Sequence, residues 1–164
     1  MNSSSKYKVL FVCLGNICRS PAAEGIFRHL VKKNGLDKSI LIDSAATSGW
    51  NTGSKVDSRM NSAASKRGYD LTSRARQVTL SDFSIFDVIL AMDKENYIDL
   101  RKMAPNEESY GKLRYITDFA TTYTIDHVPD PYYGGHEGFE LVLDLLEDCC
   151  KGLLGYVIER TLKK

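Results

Sequence analysis

The sequence has little of what would tie a protein to a membrane, a nucleic acid or a metal. No window approaches the roughly 18 apolar residues of a membrane span. The apolar run Val9 to Val12 is also too short for the core of a secretory signal. An excess of one charge is missing: 22 Lys and Arg against 21 Asp and Glu leave a formal net charge of +1. The basic residues are spread along the chain, so nothing draws it to nucleic acid or to anionic lipid. Cysteine is scarce, and Cys13, Cys18, Cys149 and Cys150 lack the paired spacing of a zinc site. A disulfide framework is not expected in a chain that can bury this much core. His29, His127 and His136 fall outside any cluster and read as surface or loop residues. No metal and no cofactor are expected. These absences leave a cytoplasmic protein with free thiols, one domain over residues 1–164, with a frayed polar start over residues 1–6.

The remaining pattern alternates strands and helices. Lys8 to Val12 is a continuous apolar run of the kind found in buried parallel strands. Ser20-Pro21 reads as an N-cap with proline in the first turn, opening a helix that Asn34-Gly35 stops. Ser39 to Asp43 predicts a second strand, Asp87 to Met92 a third and Leu113 to Ile116 a fourth. Helices are expected from Asp57 to Arg67, from Asp93 to Met103 and from Phe139 to Leu162. Leu141, Leu145, Cys149, Leu153 and Val157 form the apolar stripe of the last one. Ser44 to Val56 and Val128 to Gly138 are loops. This order predicts an α/β three-layer sandwich around a parallel sheet, with ligands met at the carboxyl ends of the strands.

The loop after the first strand concentrates the chemistry. Cys13-Leu14-Gly15-Asn16-Ile17-Cys18-Arg19-Ser20 joins a buried strand to a helix N-terminus, where backbone N–H groups converge and the helix dipole adds positive potential. Gly15 permits a tight path, and Asn16 suits a left-handed or bracing position. Arg19 offers a planar fork that matches two phosphate oxygens. Cys13 stands at the mouth of this anion site, where the field that holds phosphate also favours a thiolate. Ser20 is placed to donate a hydrogen bond to its sulfur. The G-x-x-x-x-G-K-[ST] nucleotide loop is absent. The expected chemistry is therefore attack by Cys13 on a phosphate monoester held by Arg19 and the loop.

The string VLFVCLGNICRSPAAE resembles the signature of the low-molecular-weight protein tyrosine phosphatases. The likeness continues through Asp43-Ser44-Ala45-Ala46-Thr47-Ser48, Arg74-Ala75-Arg76-Gln77, Ala91-Met92-Asp93 and Asp130-Pro131-Tyr132-Tyr133-Gly134. The resemblance implies a four-stranded parallel sheet of order 2-1-3-4 flanked by helices. It implies Asp130 as the general acid, although Asp-Pro alone is an ordinary turn signal. It places Trp50, Tyr132 and Tyr133 on the walls of a pocket for an aryl phosphate, Ser44 behind Asn16, and Asp93 beside Arg19. It also implies a reversible Cys13–Cys18 disulfide that guards the nucleophile. Many members carry a histidine in the loop-bracing network where Ser73 stands in this chain, which is a departure from the pattern.

The implied activity is metal-independent hydrolysis of phosphotyrosine in proteins, and of small aryl phosphates, through a phosphocysteine. The protein is expected to be a monomer or weak homodimer. Three other readings compete. Arsenate reductases of this fold need further cysteines near mid-sequence, and residues 70–100 contain none. Protein-arginine phosphatases typically carry threonine where Ile17 stands. A phosphotyrosine-binding module without turnover would have no need to keep Cys13, Arg19 and Asp130 together.

Overall fold

A computed structural model describes residues 6–162. The expected frayed start lies, apart from Lys6, outside the described residues. The elements are β1 (Tyr7–Cys13), α1 (Arg19–Lys33), β2 (Ile40–Ala46), α2 (Ser58–Ser65), α3 (Asp82–Ile85), β3 (Val88–Ala91), α4 (Lys94–Met103), α5 (Glu107–Tyr110), β4 (Leu113–Tyr115) and α6 (His136–Thr161), with a 3-10 turn over Ile116–Phe119. The sheet is four-stranded with order β2-β1-β3-β4, all neighbours parallel. The order reverses beside β1, so the loop leaving its carboxyl end sits at the switch point.

β1 is buried on both faces, which explains its continuous apolar run. Val9 and Phe11 pack against Ile26 and Phe27 of α1 and against Val142, Leu146, Leu153 and Val157 of α6. Leu10 and Val12 pack on the opposite face with Phe83 of α3 and Leu100 of α4. Cys149 and Cys150 belong to the α6 face, fully buried. Burial pushes the Cys149 thiol up to about 12 and the Cys150 thiol up as well.

Several boundaries differ from the sequence reading. Ser20 is not the cap of α1. The helix begins at Arg19 with Cys18 at the cap position and no side-chain cap bond, because the Ser20 hydroxyl is engaged with Cys13 and Asn16 instead. β2 runs on to Ala46, since its pairing with β1 continues to Cys13↔Ala46. α6 starts at His136 rather than Phe139, following an extended Gly135. Leu141 does not join the core: it is an exposed residue, and Val142 and Leu143 are buried in its stead. β3 and β4 are each shorter than the apolar runs that marked them, and α3 and α5 are single turns whose periodicity is too short to register.

Two contacts tie α6 to the segment that leads toward Asp130. Gly152 lets the helix approach the 3-10 turn: a Cβ there would stand 1.9 Å from the Phe119 carbonyl oxygen. Asp148 accepts hydrogen bonds from the Thr121, Thr122 and Tyr123 backbone N–H groups and from the Thr121 hydroxyl. Burial alone would raise its pKa, but the Thr121 hydroxyl and the three N–H groups outweigh that and hold it at about 2. The folded value lies below the ordinary 3.8, so this stabilisation is complete above that pH and is lost as pH falls toward about 2. Urea titrations at several pH values are expected to find Asp148→Asn less stable than the parent at neutral pH, with the gap closing below pH 3.8. A gap unchanged down to pH 2 would show that the carboxylate charge is not what matters.

Candidate active site

The loop from Cys13 to Arg19 turns its carbonyls outward. Thr47 N–H donates to the Cys13 oxygen, Ser48 N–H and hydroxyl to the Leu14 oxygen, the Asn51 amide to the Gly15 oxygen, and Asp57 N–H to the Ile17 oxygen. Because each peptide unit is planar, carbonyls facing out leave the following N–H groups facing in. The Asn16 N–H accordingly points to Cys13 Sγ at 3.2 Å. Asn16 takes a left-handed conformation, φ 57°, the one non-glycine residue to do so among the described residues. Its buried side chain justifies the strain. Nδ2 donates to Ser20 Oγ (2.8 Å) and Ser44 Oγ (3.0 Å), and Oδ1 accepts from the Arg76 N–H (3.1 Å).

Cys13 Sγ lies 3.0 Å from Ser20 Oγ. That oxygen already accepts from Asn16, and its one proton has two acceptors in reach, the sulfur and, further off at 3.5 Å, the Ala45 carbonyl. Behind the loop, Ser44 Oγ donates to the buried Glu24 carboxylate (2.6 Å), whose other oxygen accepts from Arg28 (2.7 Å). Ser73 takes no part in the hydrogen bonds of this network among the described residues. Glu24 and Arg28 complete the bracing.

Arg19 is buried, 3% exposed at its side chain. Nη1 donates to Asp93 Oδ2 at 2.6 Å and to the Val128 carbonyl at 3.1 Å. Nη2 lies 3.6 Å from Asp130 Oδ2. Burial alone would lower the Arg19 pKa, but Cys13, Asp93 and Asp130 outweigh it and the net shift is upward. The guanidinium therefore stays charged. The segment carrying Asp130 is pinned by the same group and by the Val128 N–H to the Met92 carbonyl. Cys18, also buried, has its thiol pushed up by burial first and then by Asp57, Cys13 and Asp130.

A cavity of about 220 Å³ opens over this loop, lined by Cys13, Leu14, Gly15, Ile17, Cys18, Arg19, Trp50, Asn51, Asp130, Tyr132 and Tyr133. Trp50 (78% exposed) and Tyr133 (93%) stand at its rim, outside the core. The residues picked from sequence thus come together: the loop, Arg19 and Asp130 around the cavity, Ser44 and Asp93 directly behind. His29, His127 and His136 lie away from it on the surface. No group of three His, Cys, Asp or Glu among the described residues is placed to hold a metal ion. The sequence reading missed Asn51, Glu24 and Arg76. Glu24 carried one signal, an acid four residues before Arg28 among small and apolar neighbours.

The sequence profile of the low molecular weight phosphotyrosine protein phosphatases matches residues 8–164. The chain belongs to that family. A low molecular weight protein-tyrosine-phosphatase of Streptomyces coelicolor is 42% identical over 157 residues, covering 94% of this chain and 95% of its own. A protein tyrosine phosphatase of Entamoeba histolytica superposes with a TM-score of 0.92 at 45% identity, covering 94% of this chain and 98% of its own. An arginine phosphatase of Drosophila superposes with a TM-score of 0.85 at 32% identity, covering 91% and 96%. The fold of this family member is the expected sandwich with strand order 2-1-3-4.

Asn16 is where the bracing of the phosphatase loop meets. Asn16→Ala removes three hydrogen bonds, two of them buried, and leaves a left-handed backbone unsupported. Inorganic phosphate is expected to bind the variant on the order of tenfold more weakly by calorimetry, as losing about one net buried hydrogen bond implies. Unchanged affinity would mean the loop holds its shape without Asn16.

Proposed function

We propose that this phosphatase hydrolyses phosphotyrosine through a phosphocysteine on Cys13. The observation that carries the reading is the meeting of Cys13, Arg19 and Asp130 around one cavity with aromatic walls. The Cys13 thiolate attacks phosphorus in line, and the bond to the tyrosyl oxygen breaks as Asp130 gives that oxygen a proton. Arg19 and the inward N–H groups stabilise the phosphoryl oxygens, so positive charge is supplied without a metal. Water then attacks the phosphocysteine, Asp130 takes its proton, and phosphate leaves as the thiolate is restored. Ser20 eases this second step by hydrogen bonding to the departing sulfur.

The aryl preference rests on Trp50, Tyr132 and Tyr133, which offer faces to a phenyl ring, and on Ile17, which makes the pocket side apolar. Phosphoarginine is the second reading, favoured by the likeness to the Drosophila arginine phosphatase. No helix among the described residues is long and apolar enough to cross a membrane, and four free thiols suit a reducing, cytoplasmic setting.

Hydrolysis of p-nitrophenyl phosphate is expected to survive chelator and to vanish in Cys13→Ser. In Asp130→Ala, phosphoenzyme formation is expected to slow by roughly 10²- to 10⁴-fold for poor leaving groups. Activity persisting in Cys13→Ser would overturn the mechanism. Faster turnover of phosphoarginine than phosphotyrosine peptides would exchange the substrate class.

The family likeness implies that Cys18 guards Cys13. Hydrogen peroxide oxidises the Cys13 thiolate to a sulfenic acid; the Cys18 sulfur then forms the disulfide as water leaves, and dithiothreitol returns both thiols. Mass spectrometry after peroxide is expected to find the Cys13–Cys18 bridge, with activity restored by dithiothreitol. Sulfonic acid at Cys13 as the sole product would reject the guard.

A further inference from the structure

A second cavity, of about 360 Å³, lies behind the wall of the first. α2 contributes Ser58, Arg59, Ser62 and Lys66, the cap residue that follows it. The opposite wall is Gly134, Gly135, His136 and Phe139. Arg59, Lys66, the His136 imidazole and two serine hydroxyls make up the polar lining, and no acid is among them. Two acids stand nearby, each turned to other work. Asp57 caps α2 and grips Nε and Nη2 of Arg59 with both oxygens. Glu140 is bound to Arg67 at 2.6 Å, with His136 further off at 3.5 Å and Lys66 acting on it only through space. Lys66 forms no ion pair among the described residues, and neither does Nη1 of Arg59.

The two cavities share a partition. The Arg59 guanidinium lies over the Tyr132 ring, 5.2 Å from its centre, and over Phe139 at 4.8 Å. Tyr132 is also a wall of the cavity above Cys13. A chain with its phosphotyrosine in that cavity has to cross only one aromatic ring to reach the basic groove. The 5.2 Å from ring centre to guanidinium is covered by an extended chain in about two residues, at roughly 3.3 Å each.

We infer that this groove is a substrate subsite for an acidic peptide, receiving a carboxylate within about two residues of the phosphotyrosine. The inference rests on the phosphotyrosine reading and deepens it. Charge complementarity selects the occupant: the groove offers Lys66, His136 and the free edge of Arg59, with Ser58 and Ser62 as further donors. A neutral peptide leaves these groups to water. A small aryl phosphate fills the first cavity alone and never meets them.

The experiment uses the full chain with two phosphotyrosine peptides, one with glutamate at the two positions on each side and one with glutamine there. The glutamate peptide is expected to show a kcat/KM about fivefold higher, through KM, since exposed ion pairs act weakly and additively at best. Sodium chloride at high concentration is expected to erase the difference. Lys66→Gln combined with His136→Gln is expected to bring the ratio to about one while p-nitrophenyl phosphate hydrolysis stays at the parent rate. Equal kcat/KM for the two peptides in the parent protein would overturn the subsite, and so would a ratio that survives the double substitution. If p-nitrophenyl phosphate is turned over but neither peptide is, the phosphotyrosine reading itself fails and the subsite falls with it.

Discussion

The site depends on one constraint of backbone geometry: the carbonyls of Cys13, Leu14, Gly15 and Ile17 must face away from the loop's centre. A peptide unit cannot present both its dipole ends to the same anion. The chain meets the constraint with donors from a single neighbouring stretch, Thr47 to Asp57, which takes up the Cys13, Leu14, Gly15 and Ile17 oxygens in turn. That stretch follows directly from the end of β2, whose full pairing with β1 sets it beside the loop. The sheet register and the anion cradle are therefore parts of one arrangement. Asn16 closes it from the other side, using a backbone conformation that a side chain with donors and an acceptor makes tolerable.

Arg19 performs the corresponding service between distant segments. Its guanidinium reaches Asp93 at the start of α4 and, on one loop far along the chain, the Val128 carbonyl and Asp130. A buried cation surrounded by a thiol and two carboxylates stays charged, and it gives the Asp130 loop a fixed reference point. The aromatic rim is held differently. Tyr132 lies against Arg59, which is itself fastened to the cap of α2, whose N–H in turn holds the Ile17 carbonyl.

Much of this was legible in the sequence, for physical reasons. β1 was readable because burial on both faces demands an unbroken apolar run. The Cys13–Ser20 loop was readable because strand, glycine, arginine and helix start are contiguous. Asp130 was not readable from its own residues, since an Asp-Pro turn has the same sequence whether or not it faces a thiol; the family likeness supplied it. Ser20 was misread as a cap because a serine before proline ordinarily starts a helix, whereas its contact with the Cys13 sulfur was expected and is present. Glu24 and Asn51 were missed because the partners that tie them to the site lie 20 and 36 residues away, and the Glu24–Arg28 spacing alone reads as an ordinary surface pair. Leu141 shows the converse: helical spacing placed it in the stripe, but the stripe rotates past it over a helix of 26 residues.

Asp93 divides its two oxygens between unrelated duties. Oδ1 receives the Asn96 N–H and caps α4, while Oδ2 receives Arg19. Both geometries are served by one side-chain torsion, so neither can be adjusted alone. Any drift of α4 along its axis is passed, through a single carboxylate, to the orientation of the phosphate-facing guanidinium. Selection for a firmer helix and selection for a better-aimed arginine thus act on the same bond rotation.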